Sequence, residues 1–255
     1  MPFCVSVLFF SPAGSTKKIA VHLAGRLSEN VAAYDLARPA PEEHVFSKDD
    51  FTVAAVPVFM GRVPLPAAEA LRRCRGDGTP AVSAVVYGGR AVEDALLELN
   101  DILAEQGFET AASASFAAQH SMAGQFAAGR PDTEDFAEMD LFAGAVLKKI
   151  AAGRPFSAPA VPGQRPYRAL PPASGAVPLT SEACIQCGLC ARECPTAAIP
   201  TGNPRITIPG KCFMCTRCIH ICPQKARALP TPVQAHVTEL LSRTVPPRPV
   251  NETYL

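Results

Sequence analysis

Tryptophan is absent and tyrosine occurs only four times in 255 residues, so aromatic cover for any flat ligand falls mainly to phenylalanine. Net charge is nearly missing too. The 24 Lys and Arg against 23 Asp and Glu leave +1, too little to point to nucleic acid or an anionic membrane surface. The opening apolar run, Val5 to Phe10, lacks a basic leader and is too short to span a bilayer, so it reads as a buried strand and no targeting or membrane segment is expected. No Ser/His/Asp or Cys/His arrangement suggests nucleophilic catalysis, and no fingerprint for a nicotinamide dinucleotide is present.

Cysteine, by contrast, occurs ten times. Eight fall in two segments, Cys184-Ile-Gln-Cys187-Gly-Leu-Cys190-Ala-Arg-Glu-Cys194-Pro195 and Cys212-Phe-Met-Cys215-Thr-Arg-Cys218-Ile-His-Ile-Cys222-Pro223. Both read C-x2-C-x2-C-x3-C-P, and each cysteine of the first recurs 28 positions later in the second, an internal repeat. Three thiolates at this spacing grip three corners of an iron–sulfur cubane, and the fourth, displaced by x3 and proline, serves the other cluster. The implied sets are Cys184, Cys187, Cys190 and Cys222 on one [4Fe-4S] cluster, and Cys212, Cys215, Cys218 and Cys194 on the other. Pro195 and Pro223 fix φ and help turn the chain after each crossing cysteine. Structural zinc closes with two separated pairs and has no use for a third x2 cysteine. Disulfides lack a secretory context, and such thiol usage suits a reducing, cytoplasmic compartment. Over residues 179–229 the pattern resembles the bacterial two-cluster ferredoxins. Cys4 and Cys74 are left over; the first reads as a small buried apolar residue in the first strand, the second as an unremarkable thiol near a helix end, and neither as reactive.

The N-terminal part alternates apolar runs with helical patterns. Strands are expected at Val5 to Phe10, Val31 to Leu36, Phe51 to Val58, Ala81 to Tyr87 and Glu109 to Ala118. Helices are expected after Ser11-Pro-Ala-Gly14-Ser15-Thr16 with the stripe Ile19, Leu23 and Leu27, at 66–75, at 91–106, and after Pro131 with Phe136, Met139, Ala143, Val146 and Ile150 inward. Arg38 to Asp50 reads as a polar connection. Alternation of this kind predicts an α/β fold with a doubly wound parallel five-stranded sheet, whose ligand sits beyond the strand carboxyl ends. The loops meeting there are Ser11 to Thr16, Phe59 to Val63 and Tyr87 to Arg90. The first opens a helix with free N–H groups and hydroxyls, the arrangement that favours a phosphate.

Residues 1–152 resemble the flavodoxin-like fold, through Phe9-Phe-Ser-Pro-Ala-Gly-Ser-Thr-Lys-Lys18, Pro57-Val-Phe-Met-Gly-Arg-Val-Pro64, Tyr87-Gly-Gly-Arg90 and Gln119-His-Ser121 leading to Gly129-Arg-Pro-Asp132. Joined to the cysteine repeat they resemble a flavodoxin/ferredoxin fusion family of anaerobic prokaryotes. That resemblance implies FMN, its phosphate held by Ser11, Gly14, Ser15 and Thr16, its ring flanked by Phe59, Met60, Gly61 and Arg62 and by Tyr87, Gly88, Gly89 and Arg90. Ala13 stands where such loops often carry a hydroxyl, and without tryptophan the stacking falls to Phe59, Tyr87 or Phe126. The alternative is a flavodoxin-like domain that serves only as a docking scaffold. His120, Arg62, Arg90 and Arg130 lie in loops at the same end, either acting on a reduced flavin or an acidic partner or standing as ordinary solvated charges.

Residues 153–178 hold seven prolines and read as a linker, either a free tether or packed on the first domain. Residues 1–152 carry 13 Lys and Arg against 19 Asp and Glu, a balance of −6, whereas residues 179–229 carry 6 against 2, a balance of +4. The basic residues either offset cluster charge or also dock the cysteine domain on the acidic half. Residues 230–255 are expected as a helix from Thr231 to Arg243, packed on the chain through Val233, Val237, Leu240 and Leu241, and a frayed end from Pro246. Ile185, Leu189, Phe213, Met214, Ile219 and Ile221 are expected to exclude water from the clusters and favour low potentials. The whole implies an electron-transfer protein with a redox protein as donor and another as acceptor, silent on their identity and on oligomeric state. The alternatives are a ferredoxin-fed flavin-dependent reductase of a small substrate and an assembly subunit with structural clusters.

Overall fold

Runs of Val, Ala and Phe with no charge inside them can be buried on both faces, and they become the central strands. The computed structural model describes residues 4–38, 44–171 and 175–255. Met1 to Phe3, residues 39–43 of the expected polar connection and residues 172–174 of the proline-rich segment lie outside them.

The elements in chain order are β1 (Val5–Phe9), α1 (Ser15–Leu27), β2 (Val31–Asp35), β3 (His44–Phe46), β4 (Phe51–Pro57), α2 (Leu65–Leu71), β5 (Cys74–Gly76), β6 (Thr79–Tyr87), α3 (Ala95–Glu105), β7 (Phe108–Ala117) and α4 (Thr133–Ala152). The cysteine region adds β8 (Leu179–Thr180), α5 (Leu189–Arg192), α6 (Arg217–His220) and β9 (Arg227–Ala228), followed by α7 (Thr231–Thr244) and β10 (Glu252–Tyr254). The main sheet runs β10-β7-β6-β4-β1-β2. Its five parallel strands are those expected from sequence, in the flavodoxin-like order.

Side-chain alternation splits the core into two layers. Val5, Val7 and Phe9 pack with Ile19 and Leu23 of α1 and Met139 and Val146 of α4, while Leu8 and Phe10 face Leu71 of α2 and Leu96, Leu99 and Leu103 of α3. Each fully buried Leu or Phe stabilises the fold by about 1.5–3 kcal/mol.

Several expectations are corrected. The sheet has a sixth strand: the end expected to fray returns as β10 and pairs antiparallel with β7, Thr253 opposite Ala114. Polar anchors hold it there. Asn251 Oδ1 accepts from the Ala117 amide at 2.8 Å, the buried Arg130 donates to the Pro249 carbonyl and to Asp135, and Tyr87 donates its hydroxyl to the Val250 carbonyl at 2.6 Å. The polar connection contains β3, which pairs parallel with β5. The helix expected over 66–75 therefore ends at Leu71, and Cys74 lies buried in β5, where burial pushes its thiol up to about 11. Cys4 precedes β1 and is half-buried, and the helix expected from 91 begins at Ala95.

The proline-rich segment is laid along the first lobe. Val161 packs on the core, Arg154 pairs with Glu109 at 2.8 Å, Arg165 pairs with Asp101, and the Gln164 and Arg168 amides donate to Asp94 at 3.0 and 2.7 Å. The helix α7 packs less than expected, with Leu241 buried and Leu240 46 % exposed. Gln234 ties it to the Met122 carbonyl at 2.9 Å.

Candidate functional site

The two cysteine segments fold as near-copies. Each places its second and third cysteines around a left-handed residue, Gly188 (φ 73°) and Thr216 (φ 63°), that opens a single helical turn. In each, the amide four residues after the crossing cysteine donates to its sulfur at 3.3 Å, Ala198 to Cys194 and Ala226 to Cys222. β8 and β9 pair antiparallel, Leu179 opposite Ala228, and close the unit.

Two cavities result. Cys184, Cys187, Cys190 and Cys222 line one, and Cys194, Cys212, Cys215 and Cys218 line the other. Each gathers three cysteines from one segment and the last from the other. The donors surround a space instead of converging on a point, the arrangement a polynuclear metal group takes. Burial, with neighbouring sulfurs adding to it, pushes the Cys215 thiol up to about 12; burial raises Cys218 to about 11. Two sets of four thiols, three from one segment and one from the other, are donor chemistry that fits iron–sulfur groups.

Of the side chains expected to exclude water, Leu189, Phe213, Met214, Ile219 and Ile221 are half-buried. Ile185 is the exception at 63 % exposed, whereas its counterpart Phe213 packs against Phe10 and Phe59.

The second loop meets the first lobe at the sheet's carboxyl edge. Phe213 lies 6.1 Å from the rings of both Phe10 and Phe59. Arg217, 7 % exposed, pairs with Glu193 beside Cys194 and with Asp35 at the end of β2 at 3.4 Å. Arg38 extends this network to Glu193 at 3.5 Å and Asp35 at 3.7 Å. Arg217 holds the Glu193 carboxyl below the usual range. His220 adds a contact to the Ser121 carbonyl at 3.0 Å.

The loop from Ser11 to Thr16 is shaped as an anion turn. Gly14 takes φ 96°, a left-handed value that a side chain would strain, and caps α1, whose first turn carries no acid. Ser11 Oγ accepts from the Lys17 amide at 2.9 Å. The amides of Gly14, Ser15 and Thr16 have no partner among the described residues, and Thr16 is buried. Free donors at a helix N-terminus fit a phosphate group.

The other two loops are braced from outside. Phe59 and Arg62 exchange backbone hydrogen bonds at 3.0 and 3.1 Å across Met60 and Gly61. Met60 is exposed, and Arg62 is engaged by Glu98 at 2.7 Å. Arg90 pairs with Glu93 at 3.0 Å. Gly88 backs onto the His120 ring, and Gly89, at φ 93°, lies so close to Pro249 that a Cβ would sit 2.7 Å from it. His120 Nδ1 accepts from the Met122 and Ala123 amides at 3.2 and 3.3 Å, and burial lowers its pKa, so the imidazole is neutral with its proton on Nε2.

Sequence reasoning missed Arg227. It is 3 % exposed, lines the first cavity, and reaches Cys218 Sγ of the second at 3.9 Å. The one signal is its place just after the repeat, where the first copy has Ile199.

Among the described residues no helix is long and apolar enough to cross a membrane. Residues 177–199, spanning the first cysteine segment, match the 4Fe-4S binding domain family. No curated protein matches the chain. Similar solved structures include a flavodoxin from the domain Archaea, 14 % identical, TM-score 0.44, over 58 % of this chain and 99 % of that one. A flavodoxin of Streptococcus pneumonia TIGR4 is 16 % identical, TM-score 0.40, over 57 % and 99 %. Rubredoxin oxygen:oxidoreductase from the anaerobe Desulfovibrio gigas is 15 % identical, TM-score 0.40, over 58 % of this chain and 36 % of that one. The first lobe thus has the flavodoxin-like strand order, and residues 177–199 of the second match the 4Fe-4S binding domain family.

Proposed function

We propose that the protein carries single electrons through two [4Fe-4S] clusters and exchanges them with an FMN in the first lobe. Clusters of this kind pass one electron at a time, and a flavin takes two and releases them singly. The observation that carries the reading is the reciprocal lining of the two cavities: Cys222 completes the first set and Cys194 the second.

On this reading Ser11, Gly14, Ser15 and Thr16 hold the FMN phosphate through amides and hydroxyls. Phe59 and Tyr87 supply the aromatic flanks, and Arg62 and Arg90, held by Glu98 and Glu93, brace the two ring loops. Phe213 and Arg217 keep the second cysteine loop against the same edge, so that the lobes exchange electrons within one fixed body. Residues 179–229, +4 by side chains alone, offset the negative charge of the clusters as well as meeting acids of the first lobe.

The test is anaerobic purification with iron, sulfide and flavin measured on one sample. About eight irons and one FMN per chain are expected. Eight irons without flavin would leave a ferredoxin on a docking scaffold, and zinc in place of iron would end the reading.

A further inference from the structure

The repeat allows the two cysteine loops to be compared position by position. Phe213 follows the first cysteine of the second loop, and its counterpart in the first is Ile185. Phe213 is half-buried on the first lobe, whereas Ile185 is 63 % exposed and Cys187 beside it is exposed as well. The surface the second loop uses for docking inside the chain is therefore presented by the first loop to solvent.

Two exposed cations flank Ile185, against one exposed acid, Glu182, three residues before it. Arg192 is exposed and donates to the Cys187 carbonyl at 3.1 Å. Lys225 is exposed and follows Gln224, which lines the same cavity; among the described residues no acid lines it. The lobe on which the second loop docks carries 13 Lys and Arg against 19 Asp and Glu, a balance of −6. An apolar knob flanked by two cations complements an acidic surface, and charge of this kind steers small, transient redox contacts.

We infer that the face around Ile185, Cys187, Arg192 and Lys225 docks an acidic protein electron carrier, as its repeat partner docks the acidic first lobe. Ile185 enters an apolar depression of the carrier, and Arg192 and Lys225 meet its carboxylates. This rests on the electron-transfer function proposed above.

The test uses the full chain, prepared anaerobically and assayed for iron before any binding measurement. It is titrated with a small, strongly acidic flavodoxin by calorimetry at low and physiological salt. Binding is expected at low salt, weakened about fivefold or more at physiological salt by screening. The double variant Ile185→Gln/Lys225→Glu, at wild-type iron content, is expected to weaken it about tenfold, whereas Lys211→Glu, an exposed charge beside the second loop, changes it less than about twofold. No binding at low salt, an unchanged double variant, or equal weakening by Lys211→Glu overturns the docking face. A folded wild-type chain without iron overturns the electron-transfer reading instead, and the two failures are told apart by the iron assay.

Discussion

Phe213 of the second cysteine loop lies 6.1 Å, ring centre to ring centre, from Phe59 in the loop after β4. Through this contact the loop that lines the cavity of Cys194, Cys212, Cys215 and Cys218 is held at the carboxyl edge of the sheet, whereas Ile185, the counterpart of Phe213, stays 63 % exposed. Phe213→Ala is expected to destabilise the protein by about 1–2 kcal/mol, part of the cost of deleting a fully buried ring. Amide exchange should rise in residues 59–63. Ile185→Ala, the repeat-equivalent change on an exposed side chain, should stay within about 0.5 kcal/mol. Anaerobic denaturant unfolding of the two variants makes the comparison, and equal effects would contradict the asymmetry of the loops.

The reciprocal cysteine sets predict a crossed pattern of loss. Cys222→Ala, a change in the second segment, should remove iron from the first cavity and lower the content from about eight to about four per chain. The remaining paramagnetic signal should match that left by Cys184→Ala and not that left by Cys212→Ala. A Cys222→Ala spectrum matching that of Cys212→Ala would mean that each segment closes its own set.

Arg227 places a buried cation next to both cavities. A cation stabilises the more negative, reduced state, so Arg227→Gln should lower the reduction potentials. One unit charge some 5 Å away at an effective dielectric near 20 corresponds to roughly 140 mV. Protein-film voltammetry measures it, and unchanged potentials at wild-type iron content would remove Arg227 from that role.

Asp132 caps α4, accepting from the Glu134 and Asp135 amides at 3.0 and 3.1 Å, and it pairs with Arg248 of the returning tail at 2.8 Å. The Arg248 guanidinium, followed by these amides, holds the Asp132 carboxyl well below the usual carboxylate range. A carboxylate with a depressed pKa binds its proton less readily folded than unfolded. Its stabilisation is full above the unfolded value near 4 and is lost as pH falls through the folded value. Asp132→Asn should lower the melting temperature at pH 7 by a few degrees, and the gap should close on acidification below pH 4. A gap independent of pH would assign the loss to something other than charge.

Gly14 tests the anion turn. Gly14→Val forces a branched side chain into a left-handed conformation and should weaken FMN binding about tenfold or more, with little change for riboflavin, which lacks the phosphate. Fluorescence titration with both flavins separates phosphate from ring contributions. Equal weakening of both would place the phosphate elsewhere.

Much of the fold is legible in the sequence because local rules govern it. Five uncharged runs become the five parallel strands, and Ile19, Leu23 and Leu27 give α1 its buried stripe. The cysteine repeat likewise shows in the two cavities, each lined by three cysteines of one segment and the last of the other. β10 was not legible. Glu252-Thr-Tyr254 has no apolar alternation, and its pairing depends on the open edge of β7 and on Asn251 reaching an amide 134 positions away. The short β3 and β5 escaped for the same reason, each having its partner in the other.

The residues alone thus determined the sheet, the cysteine repeat and the type of metal group it suits, all of which follow from spacing within a few tens of positions. Tertiary structure decided which cysteine loop faces the first lobe, that the proline-rich segment is strapped down by Arg154, Arg165 and Arg168, and that the tail returns to close the sheet edge. Those outcomes rest on pairs such as Phe213 with Phe59 and Arg217 with Asp35, remote in the chain and without any periodic signature, so they exist only once the chain has folded.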